Sequence, residues 1–331
     1  MGIRLIGAGM YLPDLVVDNE DFAKIVETSD EWITKRTGIK RRHISQGEYT
    51  WAMGLKAAQN AIKSAKISPL ELDMIIVTTV NSDFAYPSMS NVIQGKLGAK
   101  NAFGMDICCA CAGFVYGLDM AQRYIDTDEN IQTVLIISSE NMTKTVDYSD
   151  RSTCVLFGDG AGAVVVKRSD QKAYSYLGAD GTRAELLYAH LYPSNNIFTT
   201  KELAAKNSEI FPNETGRYMY MNGREVYKFA VNAMPMAMEK ACEKAGIAPK
   251  DLDYIIPHQA NIRIIEAAMK KMGVDKSKVY VNIQETGNIS SACIPVCLAQ
   301  LFEQNKLKPG DKIGMVGFGA GLIYGAIVMT I

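Results

Sequence analysis

Hydrophobic positions along this chain switch between a spacing of three or four residues and short unbroken runs. Ala52, Leu55, Ala58 and Ile62 recur on one face and predict a helix, followed by a Pro break and the run "DMIIVTTV". That run is almost wholly apolar, as a strand covered on both faces should be. In "DICCACAGFVYGLDMAQRYI" the alternation Met105–Ile107 predicts a strand end, and Phe114, Leu118, Ala121 and Ile125 mark a helix face. The stretch "IGMVGFGAGLIYGAIVMTI", Ile313 to Ile331, holds nineteen residues without a charge, long enough to span a bilayer. Five glycines break it, so two buried strands around a glycine turn is the better reading. The opening "MGIRLIGAGMYLP" reads as a buried strand rather than a signal peptide. Position 6 is Ile, where a myristoylation signal has Ser or Thr.

The pattern repeats. "AIKSAKISPLELDMII", Ala61 to Ile76, matches "ACEKAGIAPKDLDYII", Ala241 to Ile256, at an offset of 180. At the same offset "CAGFVYGLDMAQ" from Cys111 falls against "SACIPVCLAQ" from Ser291. Each half closes with a glycine-rich β stretch, "FGDGAGAVVV" (157–166) and "GFGAGLIYGAIVM" (317–329), read as a turn between two strands. Neither satisfies the dinucleotide-binding glycine fingerprint. The expectation is an α/β fold of two similar halves with helices sandwiched by sheets. Residues 1–168 carry the candidate nucleophile, and 169–331 form the second half. A polar, aperiodic surface insertion at about 169–217 precedes the latter.

Composition narrows the function classes. Hydrophobic content of 48% and charged content of 21% describe a globular chain, and 331 residues can bury a sizeable core. With 35 basic against 36 acidic residues there is no excess to suggest a nucleic-acid partner. The seven cysteines lie mostly in apolar contexts typical of reduced thiols, so a cytoplasmic location is expected. Cys108 and Cys111 have C-x-x-C spacing but no second knuckle follows, and no metal is expected.

Candidate chemistry centres on three sulfurs. A nucleophilic cysteine should be partly exposed at a helix start, where N–H donors and a nearby base lower its pKa. Cys111 occupies such a strand–helix junction, with Ala112 and Gly113 leaving room around it, whereas Cys108 and Cys109 read as a buried strand end. Core packing of all three is the competing reading. Of three histidines, His43 lies in a charged segment and His190 in the expected insertion. His258, in "PHQANIR", follows an apolar strand, where α/β sites gather, though a turn histidine can be structural. Asn288, in "TGNISSACIP", precedes the helix that the repeat sets opposite the Cys111 helix; a cap or turn is its plainer role.

Seven motifs in order then carry a family resemblance over nearly the whole chain. They are "TSDEWITKRTGI" (28–39), the Cys111 segment, "DRSTCVLFGDGAGAVV" (150–165), "MNGREVYKFAV" (221–231), "PHQANIRI" (257–264), "TGNISSACIP" (286–295) and "GFGAGLIYG" (317–325). The chain resembles the β-ketoacyl-acyl carrier protein synthase III enzymes of the thiolase superfamily. That resemblance implies a five-layered αβαβα fold and a condensing enzyme that initiates type II fatty acid synthesis. An acyl-CoA primer acylates Cys111, and malonyl-acyl carrier protein then condenses with loss of carbon dioxide. It further implies His258 and Asn288 as donors to the malonyl thioester, Ala320 as an oxyanion donor and Phe318 beside the departing carboxylate. Thr28, Trp32, Arg36, Arg151 and Asn261 match its CoA-binding set. Tyr86 matches a residue limiting the primer pocket across a homodimer interface. Arg263, Lys270 and Lys271 would meet the carrier protein, although as bare charges they suit a solvated face. The substrates are CoA thioesters, and neither a cofactor nor a membrane is implied. Two departures stand out: Cys108 and Cys109 replace small apolar residues, and Ala320 stands in a turn that usually has successive glycines, where a positive φ would strain it. A specialised relative priming polyketide or other secondary metabolism, and a catalytically silent scaffold, are the rival readings.

Overall fold

The structure, a computed structural model, describes residues 1–192, 197–210 and 218–331. Two sheets organise it. In the first, strands Gly2–Tyr11, Asp159–Ser169, Thr133–Asn141, Met74–Thr78 and Phe103–Ile107 lie side by side in that order. The second runs Tyr174–Ala179, Ile323–Thr330, Lys312–Gly319, Tyr254–Pro257. Taken in those directions, both sheets pair antiparallel, antiparallel, then parallel. The first sheet adds one more parallel strand, Phe103–Ile107, while in the second a single parallel bridge from Ile255 to Val279 takes that place.

Strand periodicity divides the core into layers. Met74 and Ile76 point toward a central cluster, whereas Ile75 and Val77 pack against the outer helix Thr50–Ala65. The central cluster holds Phe114, Leu118, Ala121 and Ile125 of helix Gly113–Thr127 and Ile294, Cys297, Leu298 and Leu301 of helix Cys293–Glu303, with residues of both sheets. A second outer helix, Gly223–Ala245, covers the far face of the second sheet through Ala230, Met234 and Met238. The result is the expected five-layered thiolase-like α/β arrangement.

Three sequence expectations change in detail. The helix Thr50–Ala65 buries Met53, Ala57, Ala58, Ala61 and Ile62, leaving Ala52 and Leu55 half-exposed. Its alanine stripe lets the helix lie close on the sheet, and Leu55 falls to the flank. The segment read as an insertion from about 169 begins instead with a strand, Tyr174–Ala179, at the edge of the second sheet. Half-buried Tyr and Ser there hide the strand from a search for apolar runs. Helix Lys201–Ile210 lies in the remainder, and residues 193–196 and 211–217 fall outside the described residues. The first glycine-rich stretch is not a turn either, because Asp159–Ser169 is one continuous strand. A Cβ at Gly162 would come 2.7 Å from Val296 N, so glycine here admits the crossing of helix Cys293–Glu303.

Each central helix is preceded by one 3-10 turn, Ala110–Ala112 or Ser290–Ala292. Each turn opens on a non-glycine residue in the left-handed region, Ala110 at φ 44° and Ser290 at φ 50°. Such backbone costs about 1–2 kcal/mol per residue and is held by the surrounding packing. No helix among the described residues is long and apolar enough to cross a membrane.

Candidate active site

A cavity of 1160 Å³ opens between the two halves and is lined by Cys111, His258, Asn288, Phe318 and Ala320 together. Cys111 reaches it from the first 3-10 turn, where the turn following Lys312–Gly319 packs directly on the backbone. A Cβ at Gly319 would stand 2.6 Å from Cys111 N, so only glycine permits this approach. Ala320 is not among the positive-φ residues, so the strain expected for it is absent.

The thiol differs from the sequence expectation. Cys111 keeps partial exposure to the cavity, but the surrounding protein removes it from bulk water. Burial pushes its pKa up to about 12, only partly opposed by its hydrogen bond to Ser290 Oγ at 3.4 Å. The resting sulfur is therefore a protonated thiol, and the helix start does not make it a standing thiolate.

His258 follows strand Tyr254–Pro257 and is fixed by its backbone N–H donating to Val316 O at 2.8 Å. Burial holds its imidazole down at about 3, so it is neutral at physiological pH and offers one N–H. Its Nδ1 is buried without a partner, and Phe318 meets the ring edge-on at 5.5 Å. Asn288 Oδ1 accepts from the Ser290 N–H at 2.8 Å. With that oxygen occupied, the amide NH₂ is the end left for a ligand's carbonyl.

Around the mouth, Ser29 caps helix Asp30–Thr37 by accepting from the Trp32 N–H at 3.1 Å. Arg36, one turn on, sits 4.7 Å from the Trp32 ring centroid and Arg151 5.2 Å from it. Arg151 also donates to Glu27 O at 3.0 Å. Asn261 caps helix Ile262–Met272 through Oδ1, which accepts from the Arg263 N–H at 2.9 Å. Trp32, Arg36, Asn261 and Arg263 line the cavity. Among the described residues, Thr28, Arg151, Tyr86, Lys270 and Lys271 do not. Tyr86 is 87% exposed, and Lys271 donates to Asn232 Oδ1 at 2.6 Å. Arg263 therefore belongs to the cavity wall, while Lys270 and Lys271 stand on the outer surface.

Cys108 and Cys109 correct the reading of a buried strand end. The strand stops at Ile107, Cys108 is exposed, Cys109 is half-buried, and both line the cavity. All seven cysteines are free thiols.

Sequence reasoning missed Arg224 and Lys228, which line the cavity one helical turn apart within the quoted "MNGREVYKFAV". It also missed Glu140, a fully buried carboxyl held by Ser291 Oγ at 2.6 Å and the Val80 N–H at 3.0 Å. Its only signal was an acid at the end of the otherwise uncharged run "TVLIISSEN". No cluster of three or more His, Cys, Asp or Glu suited to a metal occurs among the described residues.

Comparison with known proteins supplies the context. The family model described as 3-oxoacyl-[acyl-carrier-protein (ACP)] synthase III matches residues 105–184, and the model of its C-terminal region matches 242–331. The chain is 44% identical to beta-ketoacyl-[acyl-carrier-protein] synthase III of Clostridium acetobutylicum, covering 99% of this chain and 98% of that one. It is 42% identical to the Aquifex aeolicus protein of the same name, covering 99% of each. The crystal structure of the 3-oxoacyl-[acyl-carrier-protein] synthase III from Aquifex aeolicus superposes over 100% of both chains with a TM-score of 0.90. The priming β-ketosynthase of the R1128 polyketide pathway is 34% identical, with a TM-score of 0.88 over 100% of this chain and 96% of that one.

Proposed function

The chain belongs to the 3-oxoacyl-[acyl-carrier-protein] synthase III family, and we propose that it performs the family's condensation through Cys111, His258 and Asn288. It is an acyltransferase that initiates fatty acid synthesis. In the first half-reaction Cys111 Sγ attacks the thioester carbonyl of a short acyl-CoA, and CoA leaves. Backbone N–H groups of Cys111 and Ala320 are suited to the oxyanion, since the Gly319 turn lies against the Cys111 backbone. In the second, malonyl on the carrier protein enters. Neutral His258 and the Asn288 amide donate to its thioester oxygen, so the electrons released with carbon dioxide are held as an enolate that attacks the acyl-cysteine. Phe318, buried against His258, gives the departing carboxylate an apolar surround that favours its loss as neutral carbon dioxide.

One observation carries this reading: a single cavity gathers an uncharged thiol, an uncharged imidazole and an amide below a rim of Arg36, Arg224, Lys228 and Arg263. That cationic rim suits a CoA phosphate tail and an acidic carrier. Thr28, preceding the Ser29 cap, and Arg151, beside the Trp32 ring, complete the CoA-binding set, and Lys270 and Lys271 extend the carrier surface.

Tyr86 and the edge strand Phe103–Ile107, with Phe103 46% exposed, suit a homodimer in which Tyr86 closes the partner's primer pocket. We also place the protein in the cytoplasm, where CoA thioesters are available. The division at about residue 168 is proposed as two structural halves of one catalytic unit. The 44% identity to the Clostridium acetobutylicum synthase III, against 34% to the polyketide priming enzyme, supports a role in primary metabolism. Supplying acetyl-CoA and malonyl-carrier together should give 3-oxobutyryl-carrier. Its absence while Cys111 still acquires an acetyl group would sink the condensation.

A further inference from the structure

Arg42 lies in strand Arg41–Ile44, which pairs with Leu15–Asp18, and its side chain is fully buried. Its Nη1 donates to Asn19 Oδ1 at 2.7 Å, its Nη2 donates to Val155 O, and its Cζ stands 4.4 Å from the Phe22 ring centroid. Asn19 is itself held, with Nδ2 donating to Asp30 Oδ1 at 2.7 Å and to Ile39 O at 2.8 Å. Both acceptors of Arg42 are uncharged, and its Nε is buried without a partner. Burial pushes the guanidinium down to about 10, which leaves it a cation at neutral pH. A buried cation on neutral acceptors costs more than an apolar side chain of similar volume, so filling space does not account for it.

The carbonyl that Arg42 holds opens a segment tied to Asn288. The Asn288 N–H donates to Leu156 O at 2.9 Å, and the Asn288 carbonyl accepts from the Gly158 N–H at 3.1 Å. Both backbone groups of Asn288 are therefore engaged by residues just beyond Val155. The Arg42 stem lies against the same crossing: a Cβ at Gly158 would stand 3.0 Å from Arg42 Cβ, and one at Gly287 3.3 Å from it. Val155, Leu156, Phe157 and Asn288 line the cavity, whereas Arg42 stands behind them.

We propose that Arg42 is a positioning residue for Asn288. It clamps the Val155 carbonyl, and residues 156–158 hold the Asn288 backbone in turn. Because Asn288 Oδ1 is already pinned by the Ser290 N–H, the aim of the amide NH₂ follows that backbone. Cys111 enters the cavity from the other half, on a turn packed against Gly319, so the clamp serves the second half-reaction and not the first.

This inference rests on Asn288 being a donor to the malonyl thioester. The full-length protein is assayed for malonyl decarboxylation and, separately, for Cys111 acylation at saturating acetyl-CoA. Arg42→Met keeps the stem and removes both donors. It should lower kcat for decarboxylation by about 10- to 100-fold, with KM for malonyl-carrier and the acylation rate close to the parent. Arg42→Lys, which keeps the charge without the fork, should fall between. In an Asn288→Ala background, Arg42→Met should add less than about twofold, because both changes act at one amide. A merely structural role would give the full loss in both backgrounds, and Arg42→Lys decides the cycle if Arg42→Met does not fold. Parent-like decarboxylation by Arg42→Met, equal loss of both half-reactions, or full additivity with Asn288→Ala overturns the clamp. Parent-like decarboxylation by Asn288→Ala alone would instead overturn the reading of Asn288.

Discussion

Set at an offset of 180, Ala110–Cys111–Ala112–Gly113 and Ser290–Ser291–Ala292–Cys293 trace the same backbone: a left-handed residue, a 3-10 turn, and a buried helix. Their surroundings differ. Cys111 faces the cavity, while Ser291 is 1% exposed, with its hydroxyl on Glu140 and beside Thr78. One turn presents the proposed nucleophile; its twin seats a buried carboxyl. Duplicated backbone thus supplies a strained turn twice, and only burial and neighbours decide which copy meets substrate. Ser290, which opens the second turn, accepts from the first turn's sulfur, so the halves meet chemically as well as sterically.

The sharpest way to break this division of labour is to remove donors contributed by the second half. His258→Ala or Asn288→Ala should leave Cys111 acylation in place and slow malonyl decarboxylation by about 100- to 1000-fold. Separate assays of the two half-reactions check this, and loss of acylation alone would reverse the assigned roles.

Next comes the seam between the halves. Gly319→Val places a side chain against Cys111 N and should displace the nucleophile, lowering the acylation rate by about 100-fold. Rapid-quench acylation measures it, with thermal unfolding to register any loss of fold.

The twin turn can be sharpened through stability. Glu140 has a folded pKa of about 7 against 4.5, so the fold binds this proton more tightly than the unfolded chain does. Its stabilising contribution is complete below pH 4.5 and lost as pH rises through about 7, a change of about 3 kcal/mol. Glu140→Gln should flatten that part of the stability–pH curve in denaturant titrations.

The smallest effect belongs to the charged outer surface beyond the cavity. Lys270→Glu should lower kcat/KM for malonyl-carrier severalfold at low salt and fade as salt is added, because exposed charges mainly steer encounter. Arg263→Glu, on the cavity wall, should weaken acetyl-CoA use as well. Kinetics at two ionic strengths separate the two.

Much of this was legible in the sequence because burial leaves a periodic mark. The repeat announced two halves, and Phe114, Leu118, Ala121 and Ile125 lie fully buried as their spacing predicts. Motif order pointed to the cavity residues Cys111, His258 and Asn288. Other features leave no such mark. Strand Tyr174–Ala179 was hidden by polar alternation, and the exposure of Cys108 depends on where a strand stops. The left-handed Ala110 and Ser290 carry residue types that give no hint of positive φ. Glu140 and Ser291 are brought together only by the packing of one half on the other.

The most direct measurement maps the acyl group itself. Parent, Cys111→Ala and Cys111→Ala/Ser291→Cys proteins are incubated with acetyl-CoA, weighed intact, and digested to locate any added mass. A single acetyl group on Cys111 of the parent, and none on either variant, is the result expected if exposure to the cavity selects between the two turns. Acetylation of Cys108 or Cys109 in the parent, or of the cysteine introduced at position 291, would contradict it.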